Sequence, residues 1–330
     1  MTRDAAPYDL VISIINYRTA ALTIACVTSV IEDLRGTPDI HAHVVVVDNA
    51  SGDGSDTVIA DWIADQGPGA PVTLIRSSEN TGFSGGHNQS MNAFHADFYL
   101  VLNSDAVLKL GFCAAMLEVG RADPEAGLFT PRIEYENGSQ QPSCFRMHSP
   151  LSELIRAAAT GPVTKLFHRY VVAPLDMPPD LEQVGWVSFA GILLRAQMIE
   201  NIGLMDEGYF LYFEDTEYCL RACRAGWRIS YVPQARFIHF VGGSTALKDL
   251  ATAKKRLPKY YYASRTRLLY QAHGYMGFLM ANLLWYCGRG LAQLRPLLGK
   301  PVPPAMAHEW RDIWTNALTP LGDRRQPKDS

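Results

Sequence analysis

The sequence predicts an α/β fold, a mostly parallel central sheet flanked by helices, followed by a helical C-terminal appendage. Three features predict it. From Asp9 to Pro131, short β-branched runs alternate with longer amphipathic stretches, as in a parallel sheet covered by helices. Each apolar run stops at a polar cluster. After Leu247 the chain becomes first basic and aromatic, then almost wholly apolar.

The first strand is expected at Leu10–Ile15, the next at His43–Val47, then Val72–Ile75 and Phe98–Leu102. Their polar ends are Asn16-Tyr17-Arg18, Asp48-Asn49-Ala50-Ser51, the stretch from Asn80 to Asn88, and Asn103-Ser104-Asp105. In open α/β sheets ligands bind at the carboxyl ends of strands, so these clusters should converge on one crevice. Residues from about Asn137 to Val184 are weakly periodic and rich in Pro, Ser and His, and read as an extended excursion with short helices over that face. A strand-like run follows at Trp186–Arg195, interrupted by Gly191. A helix is expected from Asp215 to Ala225, ended by Gly226, and a strand at Trp227–Val232.

In the tail, the stretch from Lys248 to Arg267 holds seven Lys or Arg and one Asp, with Tyr260, Tyr261 and Tyr262 among them. The apolar run from Tyr275 to Cys287 falls short of the roughly 20 residues a membrane-crossing helix needs. Two readings stay open for residues 248–290: a helix packed on the main domain, or peripheral contact with an anionic membrane surface. The same apolar surface would serve a second subunit in a homo-oligomer equally well.

With 330 residues, 48% of them hydrophobic, the chain can bury a large core, and a net charge of −3 argues against a nucleic-acid partner. Six scattered cysteines without CxxC spacing read as reduced core thiols; the helical spacing of Cys219 and Cys223 alone does not make a metal site. Met1 to Pro7 has no apolar leader segment, which points to the cytoplasm.

The chemistry lies in the strand ends. Val-Asp-Asn-Ala-Ser at 47–51, Asn-Thr-Gly-Phe-Ser-Gly-Gly-His-Asn at 80–88 and Leu-Asn-Ser-Asp at 102–105 occur in this order. Downstream come Gly191, the Gly203-Leu204-Met205-Asp206-Glu207 stretch, Tyr212-Phe213-Glu214-Asp215, Gly226-Trp227, and His239 with Gly242 and Ser244. On these residues the chain resembles the family 2 glycosyltransferases of the GT-A fold, the branch with bacterial rhamnosyltransferases and galactofuranosyltransferases. The resemblance runs from about Asp9 to Ser244. It implies a glycosyltransferase domain over 1–246, with a nucleotide-binding half at about 8–131 and an acceptor half at about 132–246, and an extension at 247–330.

A carboxylate at the mouth of the second strand can accept a hydrogen bond from a pyrimidine N–H, and the resemblance gives Asp48 that role; capping the turn is the alternative. Tyr17 and Asn16 project toward the same crevice or pack at the strand end. Gly82 and Gly86 let backbone approach a phosphate or sugar, with Asn80 and Asn88 as neutral donors at the two ends of the loop. Asn103-Ser104-Asp105 stands where the family carries its DxD motif, with Asn103 in place of the first acid. Asp105 can still hold Mg²⁺ or Mn²⁺ against a diphosphate, because such ions often use one or two carboxylates. His239 matches the position of a second, imidazole ligand, which favours Mn²⁺.

Inverting transfer needs a base for the acceptor hydroxyl, and Asp215 is the candidate, with the helix dipole expected to keep it ionised. Glu214 would orient it or grip the acceptor. Asp206 matches a family acid that positions acceptor or loop, Trp186 offers a flat face to a sugar or is an ordinary core residue, and Gly191 belongs to the same acceptor region. The resemblance favours dTDP-rhamnose or a UDP-sugar as donor and a saccharide or polyprenyl-linked saccharide as acceptor, in cell-surface polysaccharide synthesis at the inner face of the membrane. A nicotinamide enzyme would need GxGxxG after the first strand, where Asn16-Tyr17-Arg18 stands instead. A nucleotide-sugar-binding module without turnover is the competing reading, raised by Asn103.

Overall fold

The computed structural model describes residues 8–240 and 247–327; Met1 to Pro7, Gly242 and Ser244 lie outside the described residues. In chain order the elements begin β1 (Tyr8–Asn16), α1 (Ala20–Arg35), β2 (Ala42–Asp48), α2 (Ser55–Asp65), β3 (Val72–Arg76), α3 (Gly82–Ala93) and β4 (Ala96–Asn103). Then come β5 (Ala106–Leu108), α4 (Phe112–Ala122), β6 (Ala126–Glu134), β7 (Cys144–Phe145), α5 (Pro150–Ala158), α6 (Gly161–Leu166), β8 (Trp186–Val187) and β9 (Gly191–Arg195). The chain continues with α7 (Ala196–Ile202), α8 (Glu214–Arg224), β10 (Arg228–His239), α9 (Leu247–Thr252), α10 (Lys259–Ala292) and α11 (Glu309–Asp312).

Eight strands form one sheet in the order β3-β2-β1-β4-β9-β6-β10-β5. The four strands read from the sequence are its parallel half. Period-two alternation explains why: Leu10, Ile12 and Ile14 of β1 pack in one apolar layer with Cys26, Val27 and Val30 of α1, while Val11 joins the opposite layer with Val45 and Met91.

Two expectations change. Trp186–Arg195 is two strands: β8 pairs with β7 in a separate ribbon, and β9 enters the main sheet antiparallel to both β4 and β6. An isolated apolar run carries no mark of direction. The strand expected at Trp227–Val232 reaches His239, and its parallel partner β6 escaped the reading because it contains Pro131, which sits beside a register shift.

The tail packs as helices. Gly274, with φ of 69° and ψ of −178°, breaks α10 into two arms. Arg265 Nη1 donates to Asn282 Oδ1 at 2.9 Å; along a straight helix those residues would stand about 25 Å apart, so the second arm folds back on the first. Three arginines of the basic run pair with acids of the chain, Arg256 on Asp312 at 2.6 Å, Arg265 on Glu153 at 2.9 Å and Arg267 on Asp206 at 2.8 Å. No helix among the described residues is long and apolar enough to cross a membrane.

Candidate active site

Parallel register brings the polar strand ends together, pairing Asn16 with Asp48 and Ile15 with Asn103 across adjacent strands. A cavity of about 270 Å³ opens there. Its floor and one side carry Tyr17, Asn80, Gly82, Asn103 and Asp105; Asn49, Thr19 and His87 join them. The opposing wall is Phe210, Leu211 and Tyr260, from the segment before α8 and the start of α10.

Several expected ligand contacts lie elsewhere. Asn16 is fully buried: its Oδ1 accepts from the Thr19 amide and Thr23 hydroxyl, and its Nδ2 donates to Asp48 Oδ1 at 2.7 Å and to Ser51 Oγ at 3.1 Å. It steadies Asp48 and has no hydrogen left for a ligand. Asn88 is likewise used up, bonding both to the backbone of Met205 and to Glu207. Gly86 and Gly191 serve packing: a Cβ on Gly86 would meet Ile15 at 2.6 Å, and one on Gly191 would meet Phe237 at 2.7 Å. Asp206 accepts from Arg267 and Gln271, fastening its loop to α10.

Asp48 also holds its own turn, since Oδ1 accepts from the Ser51 hydroxyl at 2.6 Å and Oδ2 from the Ser51 amide at 3.2 Å. Tyr17 is exposed at the cavity rim, with the Arg18 guanidinium 5.2 Å from its ring centroid. Gly82 needs to be glycine twice over: φ is +74°, and a Cβ would fall 2.1 Å from the Phe210 carbonyl oxygen, which accepts from the Phe83 amide.

Asp105 and His239, 134 positions apart, meet with Oδ1 and Nε2 at 3.2 Å. Gln141 Nε2 donates to the His239 carbonyl at 2.8 Å, which turns its Oε1 to His239 Nδ1 at 3.3 Å. That arrangement places a hydrogen on Nδ1 and turns Nε2 toward Asp105. Asp105 Oδ1 is buried and has no hydrogen-bond donor. A carboxylate oxygen and an imidazole nitrogen facing each other at this distance make a donor set that fits a divalent ion, with Gln141 orienting the imidazole. Asn103 Nδ2 stands 3.3 Å from the same Nε2.

The acid pair opens α8 as expected. Tyr212 and Phe213 just before it have φ of 72° and 71°, a left-handed conformation that non-glycine residues rarely adopt and that clusters at functional sites. The helix dipole does not decide the charge of Asp215. Burial raises it to about 6, against hydrogen bonds from the Thr216 amide and hydroxyl and the Phe189 backbone. Burial, then the neighbouring Asp215 carboxylate, push Glu214 well above the usual carboxylate range. Both carboxyls of the pair are therefore pushed toward the protonated form, by burial first. The β8–β9 connection links the pair to the cavity: Phe189 contacts Asp215, and the next carbonyl, Ala190, accepts from the Asn103 amide at 3.0 Å. Trp186 stacks on Phe145 with centroids 4.3 Å apart, near His148.

The sequence reading passed over Asn49, His87, Phe210 and Tyr260. Asn49 clamps the loop into α3, donating to Asn80 and to the Gly82 carbonyl and accepting from Thr81. His87 Nδ1 bonds Ser13 at 2.7 Å, its Nε2 is buried without a partner, and burial lowers its pKa to about 3, so the ring is neutral. The signal for both was present in the motifs at 47–51 and 80–88. Phe210 and Tyr260 carried none, because nothing local shows that the tail returns to the cleft.

Over 265 residues the chain is 26% identical to an N-acetylglucosaminyl-diphospho-decaprenol L-rhamnosyltransferase of Mycobacterium tuberculosis, covering 76% of this chain and 80% of that one. It is 24% identical over 237 residues to the low-salt glycan biosynthesis hexosyltransferase Agl10 of Haloferax volcanii, covering 70% and 67% of the two chains. Among solved structures, the mannosyltransferase PcManGT from Pyrobaculum calidifontis, in complex with GDP-Man and Mn²⁺, superposes with a TM-score of 0.54 at 15% identity. That match covers 90% of this chain and 79% of the other, and shows the shared GT-A fold. Residues 7–263 match the model of the family described as Glycosyltransferase like family 2, and the chain belongs to that family.

Proposed function

We propose that this glycosyltransferase is an inverting, metal-dependent hexosyltransferase. In this reading it moves rhamnose from dTDP-rhamnose, or a hexose from a UDP-sugar, onto a lipid-linked saccharide at the inner face of the membrane. The observation that carries the metal-dependent part is the facing of Asp105 Oδ1 and His239 Nε2 at 3.2 Å, with Gln141 behind the imidazole. Asp105 and His239 would hold Mg²⁺ or Mn²⁺, beside Asn103. A bound ion supplies charge neutralisation for the departing diphosphate.

The remaining work falls to side chains. Asp48 accepts the base N–H, Tyr17 lies against the base, and Asn80 and the Gly82 backbone face the phosphates or sugar. His87 Nε2 takes a donor hydroxyl. Asp215 removes the acceptor hydroxyl proton as that oxygen bonds to the anomeric carbon. The bond from that carbon to the diphosphate breaks on the opposite face, and its electron pair leaves with the phosphate. Glu214 grips the acceptor, and the Trp186–Phe145 stack offers it a flat apolar face. The lipid-linked acceptor and the rhamnosyl donor are supported by the name of the mycobacterial relative.

Calorimetric titration with dTDP, UDP and GDP, each with and without Mn²⁺, tests the reading. One nucleotide should bind at least about tenfold more tightly with Mn²⁺ present, and Asp105→Asn should remove that difference. Folded protein that binds none of the three overturns it.

A further inference from the structure

We infer that the outer face of the second arm of α10, together with α6, lies on an anionic bilayer; the inference rests on the reading of the acceptor as lipid-linked. The second arm is apolar apart from Asn282 and Arg289. Phe278, Ala281, Trp285, Gly288 and Ala292 turn inward and are buried. A helix of this composition is ordinarily buried on every side. Here the opposite face carries Met276, Met280, Leu283, Leu291 and Leu294 at spacings of three, four and eight, with Met276 72% and Leu294 54% exposed. Five such residues on one stripe make a continuous apolar surface, which soluble proteins keep for an interface.

The charge around the stripe selects the occupant. No Asp or Glu occurs from 250 to 308, a stretch holding nine Lys or Arg. Arg295 donates to the carbonyl of Ala159, which places the end of the stripe beside α6. That helix adds Leu166, 74% exposed, and the exposed Lys165, followed by Arg169. No Asp or Glu lies between 160 and 175 either. Leucines and methionines beside Lys165, Arg169 and Arg295 match the boundary between acyl chains and anionic headgroups. In the basic run from Lys248 to Arg267, by contrast, Arg256, Arg265 and Arg267 are engaged with Asp312, Glu153 and Asp206.

The fold-back of α10 places this surface usefully. Trp285 of the second arm shares a core cluster with Tyr262 of the first and with Leu257 just before it. The middle of the second arm is therefore packed near the start of the first, where Tyr260 lines the cavity. A saccharide carried on a lipid held in the bilayer meets the cleft from that side.

Flotation with vesicles tests the inference. The wild-type chain should float with mixed phosphatidylglycerol–phosphatidylcholine vesicles and far less with phosphatidylcholine alone. Leu283→Glu with Leu294→Glu should weaken flotation at least about tenfold, and Lys165→Glu with Arg169→Glu should weaken it on anionic vesicles only. Both double variants should keep the wild-type circular dichroism and nucleotide titration. Undiminished flotation of the leucine variant overturns the inference. So does a wild-type dimer in sedimentation that this variant makes monomeric, since a second copy would then cover the face. Nucleotide binding without flotation sinks the surface alone; flotation without nucleotide binding sinks the proposed activity alone.

Discussion

Asp215 sits where two opposed influences meet, a helix N-terminus that favours its charge and a buried site that opposes it. Burial wins, to about 6. The sign is then fixed: below that value the carboxyl holds a proton and cannot accept one, so log(kcat/KM) should rise with pH through about 6 and level off above it. A profile whose acidic limb lies in the ordinary carboxylate range would remove Asp215 from the role. Asp215→Asn should lower kcat by about 10²–10⁴-fold while leaving nucleotide affinity unchanged. Its Tm at neutral pH should be no lower than wild type. A carboxyl raised on folding binds more protons in the native state, so its contribution to stability declines as pH rises from the ordinary carboxylate range through about 6, and the neutral amide escapes that loss.

At the scale of elements, the cavity depends on how closely α3 approaches the segment before α8. Gly82→Ala should cost about 1–3 kcal/mol from the positive φ, plus the clash with the Phe210 carbonyl, and should weaken nucleotide binding by displacing that wall. Gly138→Ala is the control, because its φ of +79° is comparable but no atom lies within 4 Å of the added carbon. Equal losses in denaturant unfolding for the two variants would mean that the contact with Phe210 is unimportant. The parallel half of the sheet was legible because Leu10–Ile15 and His43–Val47 are short, mainly β-branched runs closed by polar residues. The excursion was not: Ser149 and Ser152 cap α5 reciprocally, but α5 becomes a helix by packing on α10, more than a hundred residues later. The meeting of Asp105 with His239 was legible only through the family resemblance. The inward turn of Asn16 was hidden because a strand-end asparagine looks the same whether it faces ligand or neighbour.

For the whole molecule, one buried ionic network joins the excursion to the tail. Glu153 of α5 accepts from Arg156 and Arg265, Arg156 also pairs with Glu309 of α11, and Arg265 is only 4% exposed. Burial alone would raise the Glu153 carboxyl, but the two guanidinium groups outweigh it and hold it well below the usual range. Glu153→Ala leaves Arg265 charged and buried without its carboxylate, a change that should cost about 3–5 kcal/mol. Limited proteolysis of that variant should cut first in the tail; unchanged unfolding and cleavage would show that the network does not fasten the two regions.

The ends of the main sheet bear on how the protein behaves when concentrated. β3 at one margin has five residues and β5 at the other has three. Rows of backbone donors and acceptors this short give an incoming strand little to template on, so growth of ribbons from molecule to molecule has a poor starting point. Crowded molecules should therefore associate through helix faces, reversibly and with their strands left in place.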